Sequence, residues 1–184
     1  MDEDEVHVDI EEWNGTVVDF AAVNEKNGLI FQDYYKPEYT VPNNEILFQG
    51  ARPFEEQIDE VMNILDGKVV IAWNMEQLQR CLPDLTKRAK RTVCAMKKFA
   101  PYAAEYYHEI HNTWKFISLP NAMKAIGVEF IAPGPHSAVS DAFALLAVWQ
   151  HMSIHPLGRH QSLIPVSDLK FELSKGKDFP DLDF

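Results

Sequence analysis

Val6-His7-Val8-Asp9-Ile10-Glu11-Glu12 alternates apolar and polar residues, Asn14-Gly15 marks a turn, and Thr16-Val17-Val18-Asp19-Phe20-Ala21-Ala22-Val23 resumes an apolar run beyond it. Successive side chains of an extended chain point to opposite faces, so alternation of this kind is the signature of a half-buried strand. The two runs are read as strands joined by a tight turn. The loop Asn24 to Gly28 then leads into a third strand, Leu29-Ile30-Phe31-Gln32-Asp33-Tyr34-Tyr35. Three sequential strands joined by short turns make an antiparallel meander.

The chain changes period after a connector containing Pro37 and Pro42. Phe54, Ile58, Val61, Met62 and Leu65 recur at helical spacing, and Asp66-Gly67 stops the helix. Lys68-Val69-Val70-Ile71-Ala72-Trp73 is a continuous apolar run, as expected of a strand buried on both faces. A short helix is predicted from Asn74 to Leu82, broken at Pro83. A basic segment to about residue 98 follows, and Phe99 to Trp114 reads as aromatic and irregular. Ser118 is placed to cap a helix carrying Leu119, Met123 and Ile126, which Gly127 ends.

The last helix begins after Pro133-Gly134-Pro135 and ends at Pro156. It is predicted to carry Val139, Ala142, Phe143, Leu146 and Trp149 on one face, with Ser140, Ala144, Ala147 and His151 on the far side. Asp141 falls at the border, beside Leu145 and Val148. A meander followed by helix–strand–helix units and a closing helix describes an α/β sandwich with a mixed central sheet. Residues 1–155 are read as that domain, and 156–184 as a C-terminal extension with short apolar clusters among charges. Internal repeats and low-complexity tracts are absent from the sequence.

With 184 residues, 46% of them apolar, the chain is long enough for one domain with a substantial core. No apolar run reaches the roughly 18 residues of a membrane span, and the amino terminus Met1-Asp2-Glu3-Asp4-Glu5 is acidic where a signal peptide is basic. A cytoplasmic protein without a membrane partner is expected. Cys81 and Cys94 are too few for a disulfide framework and too far apart for a zinc motif, so they read as buried thiols. The net charge of −11 argues against a broad basic surface for duplex binding. It leaves room for a nuclease whose acidic residues gather around bound cations. Lys87, Arg88, Lys90, Arg91, Lys97 and Lys98 form a basic run, read as a solvated face before a phosphate track.

Two constellations carry chemistry. Asp9 and Glu11 are i and i+2 in a strand, so both carboxylates leave the same side. Adjacent like charges raise one another's pKa unless a cation neutralises them, which points to a divalent metal; the plain alternative is an exposed acidic strand end. His136 and Asp141 form the second, with a turn cap and a structural hydrogen bond as the plain reading. His151, His155 and His160 approach metal-ligand spacing, but Pro156 and Gly158 interrupt the helix that would align them.

Asp-x-Glu at the end of strand one, the hairpin Val-Asp-Phe-Ala-Ala-Val, a helix into Val-Val-Ile-Ala-Trp-Asn, Ser-Leu-x-x-x-Met-x-x-x-Ile-Gly-Val, and His-x4-Asp follow one another in that order. Over residues 6–152 this order resembles the DEDDh family of 3′–5′ exonucleases, which includes proofreading subunits and RNase T-like enzymes. The resemblance implies a ribonuclease H-like fold. It further implies two Mg²⁺ or Mn²⁺ ions held by four acidic residues, and a histidine that activates the attacking water. Asp9 and Glu11 match the first motif, Asp141 the last acid, and His136 the general base.

The second motif departs from the family pattern. Four residues after Asn74 the family has an Asp, and this chain has Leu78. Glu76, two residues earlier, is the candidate replacement for the fourth metal-binding and catalytic acid; Asp84, beyond Pro83, is a poorer one. Trp13 is read either as a platform for a terminal base or as a core or rim residue, and Asn74 as a substrate contact. The activity implied is hydrolysis of phosphodiester bonds at the 3′ end of single-stranded DNA or RNA, releasing nucleoside 5′-monophosphates. A weakened exonuclease fold that binds nucleic acid or a protein partner is the alternative. The resemblance also admits a homodimer.

Overall fold

The computed structural model describes residues 4–39, 48–103, 107–108, 113–128 and 137–155. Strand β1 (Glu5–Trp13) turns into β2 (Thr16–Asn24) through Asn14 at φ 51° and Gly15 at φ 83°. Both turn residues are left-handed, the conformation whose twist matches that of the strands it joins, and asparagine followed by glycine adopts it at least cost. β3 (Gly28–Tyr34) completes the meander. β4 (Val69–Ala72) lies parallel to β1, and β5 (Arg91–Cys94) lies parallel to β4. The sheet order is β3-β2-β1-β4-β5, with β1 at the centre. This is the expected mixed α/β sheet, in a ribonuclease H-like arrangement.

The two faces of the sheet are covered by different helices, and strand alternation decides which residue faces which. Val6, Val8 and Ile10 of β1, with Phe20, Val70 and Ala72, bury against Val61, Met62, Leu65, Leu78 and Leu85. Those residues belong to α1 (Ile58–Leu65), α2 (Met75–Cys81) and α3 (Leu85–Arg88). On the other face Val69, Ile71 and Trp73 pack on Phe99, Leu119, Met123, Leu145 and Val148. These come from α4 (Ala95–Ala103), α5 (Leu119–Ala125) and α6 (Ala138–Ile154). Ala21 and Val23 of β2 meet Ala138, Ala142 and Leu146 there. Each large side chain so buried contributes about 1.5–3 kcal/mol relative to exposure.

Three expectations are corrected. The basic segment contains strand β5, and its continuation is helix α4, with Pro101 inside it, in place of the irregular stretch that the sequence predicts. Within the aromatic stretch, β6 (Tyr107–His108) and β7 (Thr113–Trp114) pair antiparallel. The far side of α6 is not polar: Ser140, Ala144, Ala147 and His151 are buried, whereas Val139, Phe143 and Trp149 are only partly so. The cause is that α6 is covered twice, by β1 and β2 beneath and by α4 and α5 alongside. A helix buried on both sides loses the single apolar stripe that periodicity looks for.

No helix among the described residues is long and apolar enough to cross a membrane. The extension at 156–184 and the Pro-Gly-Pro turn lie outside the described residues.

Candidate metal centre

Asp9 and Glu11 leave β1 on the face covered by α6. Asp9 stands opposite Ala21 and Glu11 opposite Asp19 in the β1–β2 ladder, and the register shifts between Glu11 and Glu12. Glu12 is thereby committed elsewhere: it accepts a hydrogen bond from Gln77 Nε2 at 2.8 Å and lies 3.8 Å from the guanidinium of Arg80. α6 crosses β1 and β2 with Asp141 in its first turn. One carboxylate oxygen each of Asp9, Glu11 and Asp141 lies within 4.8 Å of the others.

Three carboxylates held this close, each partly buried, strain against ionisation. Burial, followed by Asp141, Glu11 and Asp19, holds the Asp9 carboxyl well above the usual carboxylate range. Burial, with Asp141 and Asp19 behind it, pushes Glu11 up to about 8. Such a set is neutralised either by protons or by a cation, and oxygen-only donors suit a hard divalent ion such as Mg²⁺ or Mn²⁺. The residues present fit that group.

The acids line a cleft of about 410 Å³ together with Asn74, Gln77, Phe116, Ser118 and Pro120. The lining is anchored beside Phe116, because Trp73 Nε1 donates a 3.2 Å hydrogen bond to the Ile117 carbonyl. Asn74 is exposed at the start of α2, where its side chain makes no capping bond. Phe116 is 43% exposed at the cleft.

The structure does not bring Glu76 to the acids. It is exposed and forms an ion pair with Lys97 of α4, Nζ to Oε1 at 2.6 Å, which lowers its pKa. The reason is helical phase: Asn74, Gln77 and Leu78 face the cleft, and a residue two short of Leu78 points about 200° away. Asp84 is occupied on the surface by Lys87 at 2.5 Å. Leu78, 2% exposed, is among the residues that line the cleft. Trp13 ends β1, partly buried, and is not among the residues lining the cleft. His136 lies outside the described residues.

Four of the six basic residues in the run over 87–98 are spent on acids: Lys87 on Asp84, Arg88 on Asp66, Lys90 on Asp4 and Lys97 on Glu76. That supports the solvated-face reading. Cys81 and Cys94 are free thiols, and burial followed by Glu12 raises Cys81 to about 11. His151 packs on His155 at 4.7 Å and edge-on to Tyr102. Among the described residues Asp9, Glu11 and Asp141 are the one group of three placed to share an ion.

The hairpin run Val-Asp-Phe-Ala-Ala-Val contains Asp19, but periodicity and motif order give it no role. It is 3% exposed, burial pushes it up to about 7, and its Oδ2 accepts the Ala138 N–H at 2.9 Å. Counting back evenly through the Asn14-Gly15 turn would set Val18 opposite Glu11; the register shift between Glu11 and Glu12 puts Asp19 there instead. A bulge of that kind has no signature in this stretch of sequence. No protein-family model matches the chain, and no curated protein matches it. Fold and site together define an α/β protein with an acid triad lining a cleft.

Proposed function

We propose that the protein is a divalent-cation-dependent 3′–5′ exonuclease, hydrolysing phosphodiester bonds at the 3′ end of single-stranded DNA or RNA to release nucleoside 5′-monophosphates. The observation that carries the reading is the convergence of Asp9, Glu11 and Asp141, from two elements 130 residues apart in sequence, to within 4.8 Å beside a cleft. These three residues would hold the Mg²⁺ or Mn²⁺ ions. Such ions polarise a phosphoryl oxygen and make water a nucleophile at neutral pH. The chain's own contribution is to keep the carboxylates converged, so that binding a cation relieves repulsion already stored in the fold.

Within the cleft, the exposed amide of Asn74 suits phosphate and sugar, and the exposed ring of Phe116 suits the face of a base. The order of motifs gives His136 the role of proton acceptor, the role that imidazole most often fills in general-base catalysis. A second reading is favoured by Leu78 and by the Glu76–Lys97 ion pair, which leave the second-motif acid unreplaced: a module that binds a nucleic-acid end and turns over slowly or not at all.

The experiment uses 5′-labelled single-stranded RNA and DNA with Mg²⁺, Mn²⁺ or chelator. A cation-dependent ladder shortening from the 3′ end, lost in Asp141→Asn, is expected. Retained binding of both strands without any ladder would select the binding module.

A further inference from the structure

The acid triad is assembled from two pieces that the chain must hold in register: β1, which carries Asp9 and Glu11, and α6, which carries Asp141. One side chain bears on both. Asp19 stands opposite Glu11 in the β1–β2 ladder, and its Oδ2 accepts the N–H of Ala138, the first residue of α6, at 2.9 Å.

From that grip to Asp141 the chain is one continuous hydrogen-bonded turn. Ser137 Oγ accepts the Ser140 N–H at 3.2 Å, Ser140 Oγ accepts the Ser137 N–H at 3.3 Å, and the Asp141 N–H donates to the Ser137 carbonyl at 3.0 Å. The Ser137–Ser140 capping box secures the turn internally, whereas Asp19 ties it to the sheet. Asp19 is 3% exposed, and its second oxygen, Oδ1, has no partner of hydrogen-bonding geometry among the described residues. The Gln32 side chain and the Phe20 N–H lie near enough to offset part of the rise that burial causes in the Asp19 pKa, although neither reaches full hydrogen-bonding geometry to Oδ1. A buried carboxyl group is costly to keep for packing alone, because an apolar residue of similar size avoids the desolvation.

We infer that Asp19 is a positioning residue, the strap that fixes the first turn of α6 to β2 and thereby sets Asp141 against Asp9 and Glu11. The inference rests on the metal-centre reading above. It assigns Asp19 no contact with substrate or cation.

The test uses the full chain and two variants, Asp19→Ala and Asp19→Asn, the latter keeping a side-chain carbonyl that accepts from Ala138. Amide exchange at residues 138–141 and Mn²⁺ affinity by calorimetry are both read. Asp19→Ala is expected to speed exchange in that turn and to weaken Mn²⁺ binding by about 10–100-fold, the range typical of lost supporting contacts, with Asp19→Asn restoring most of both. Wild-type exchange and affinity in Asp19→Ala would overturn the inference, as would an Asp19→Asn protein that behaves like the alanine variant. A wild-type chain that takes up no Mn²⁺ overturns the metal centre itself. That failure is distinguishable, because the exchange difference between the two variants is then still present.

Discussion

Glu76 is joined to Lys97 by a 2.6 Å ion pair on the side of α2 turned away from Asp9, Glu11 and Asp141. The acid nearest in sequence to Leu78 therefore serves the α2–α4 surface. An exposed pair of this kind contributes little to stability, because water screens it.

Glu76→Ala is accordingly expected to leave Mn²⁺ affinity and any cation-dependent turnover unchanged. Leu78→Asp is expected to raise Mn²⁺ affinity at a cost in stability. Removing a leucine that is 2% exposed costs about 2–5 kcal/mol of stability. The new carboxylate enters the cleft beside the triad, and Mn²⁺ affinity rises by about tenfold or more, as added ligand charge does at hard-cation sites. Calorimetric titration of the two variants in parallel checks both statements.

The raised carboxyls make the metal-free protein sensitive to base. The folded pKa of Glu11 is about 8 against an ordinary 4.5, and Asp19 is about 7 against 3.8. Between those values the folded chain keeps protons that the unfolded chain has lost, so stability falls as pH rises through the window. Their contribution is full below the unfolded pKa and is lost by about pH 8. Thermal melts in chelator are expected to show Tm falling from pH 5 to pH 8. Mn²⁺ should restore it, and restore more at pH 8 than at pH 5. Asp9→Asn, which removes one of the repelling charges, should flatten the chelator profile while abolishing the Mn²⁺ effect.

His7 acts with the opposite sign. It is 2% exposed, packed edge-on to Trp149 at 6.2 Å, and neither ring nitrogen has a hydrogen-bond partner among the described residues. Burial lowers its pKa to about 3 from 6.5. The unfolded chain takes up a proton below pH 6.5 that the folded chain refuses, so this residue costs stability as pH falls. His7→Phe is expected to be more stable than wild type at pH 4.5 by on the order of 2 kcal/mol, an advantage that shrinks at pH 7. An advantage equal at both pH values would refer the effect to packing alone.

The parts of this fold that the sequence announces are those with one dominant signal. The I′ turn at Asn14-Gly15, the alternation through Asp9 and Glu11, and the all-apolar β4 each follow from a rule that nothing nearby contradicts. β5 is hidden because Arg91-Thr92-Val93-Cys94 buries only Val93 fully at the edge of the sheet, so its charges outvote its pairing. Pro101 hides α4. At the candidate site, Asp9, Glu11 and Asp141 are legible from spacing and order. Glu76 is a misleading candidate because sequence distance ignores helical phase, and Asp19, although it stands inside the hairpin run Val-Asp-Phe-Ala-Ala-Val, is given no role because the sequence does not say what an acid in an apolar strand will touch. Its role exists only through contact with Ala138, 119 residues away.

The most direct test of the metal centre is anomalous diffraction at the manganese edge from crystals soaked in Mn²⁺. Peaks bounded by the carboxylates of Asp9, Glu11 and Asp141, and absent in Asp9→Asn, are the expected result. Crystals that take up Mn²⁺ elsewhere, or nowhere, would contradict the assignment of these three residues as a metal centre.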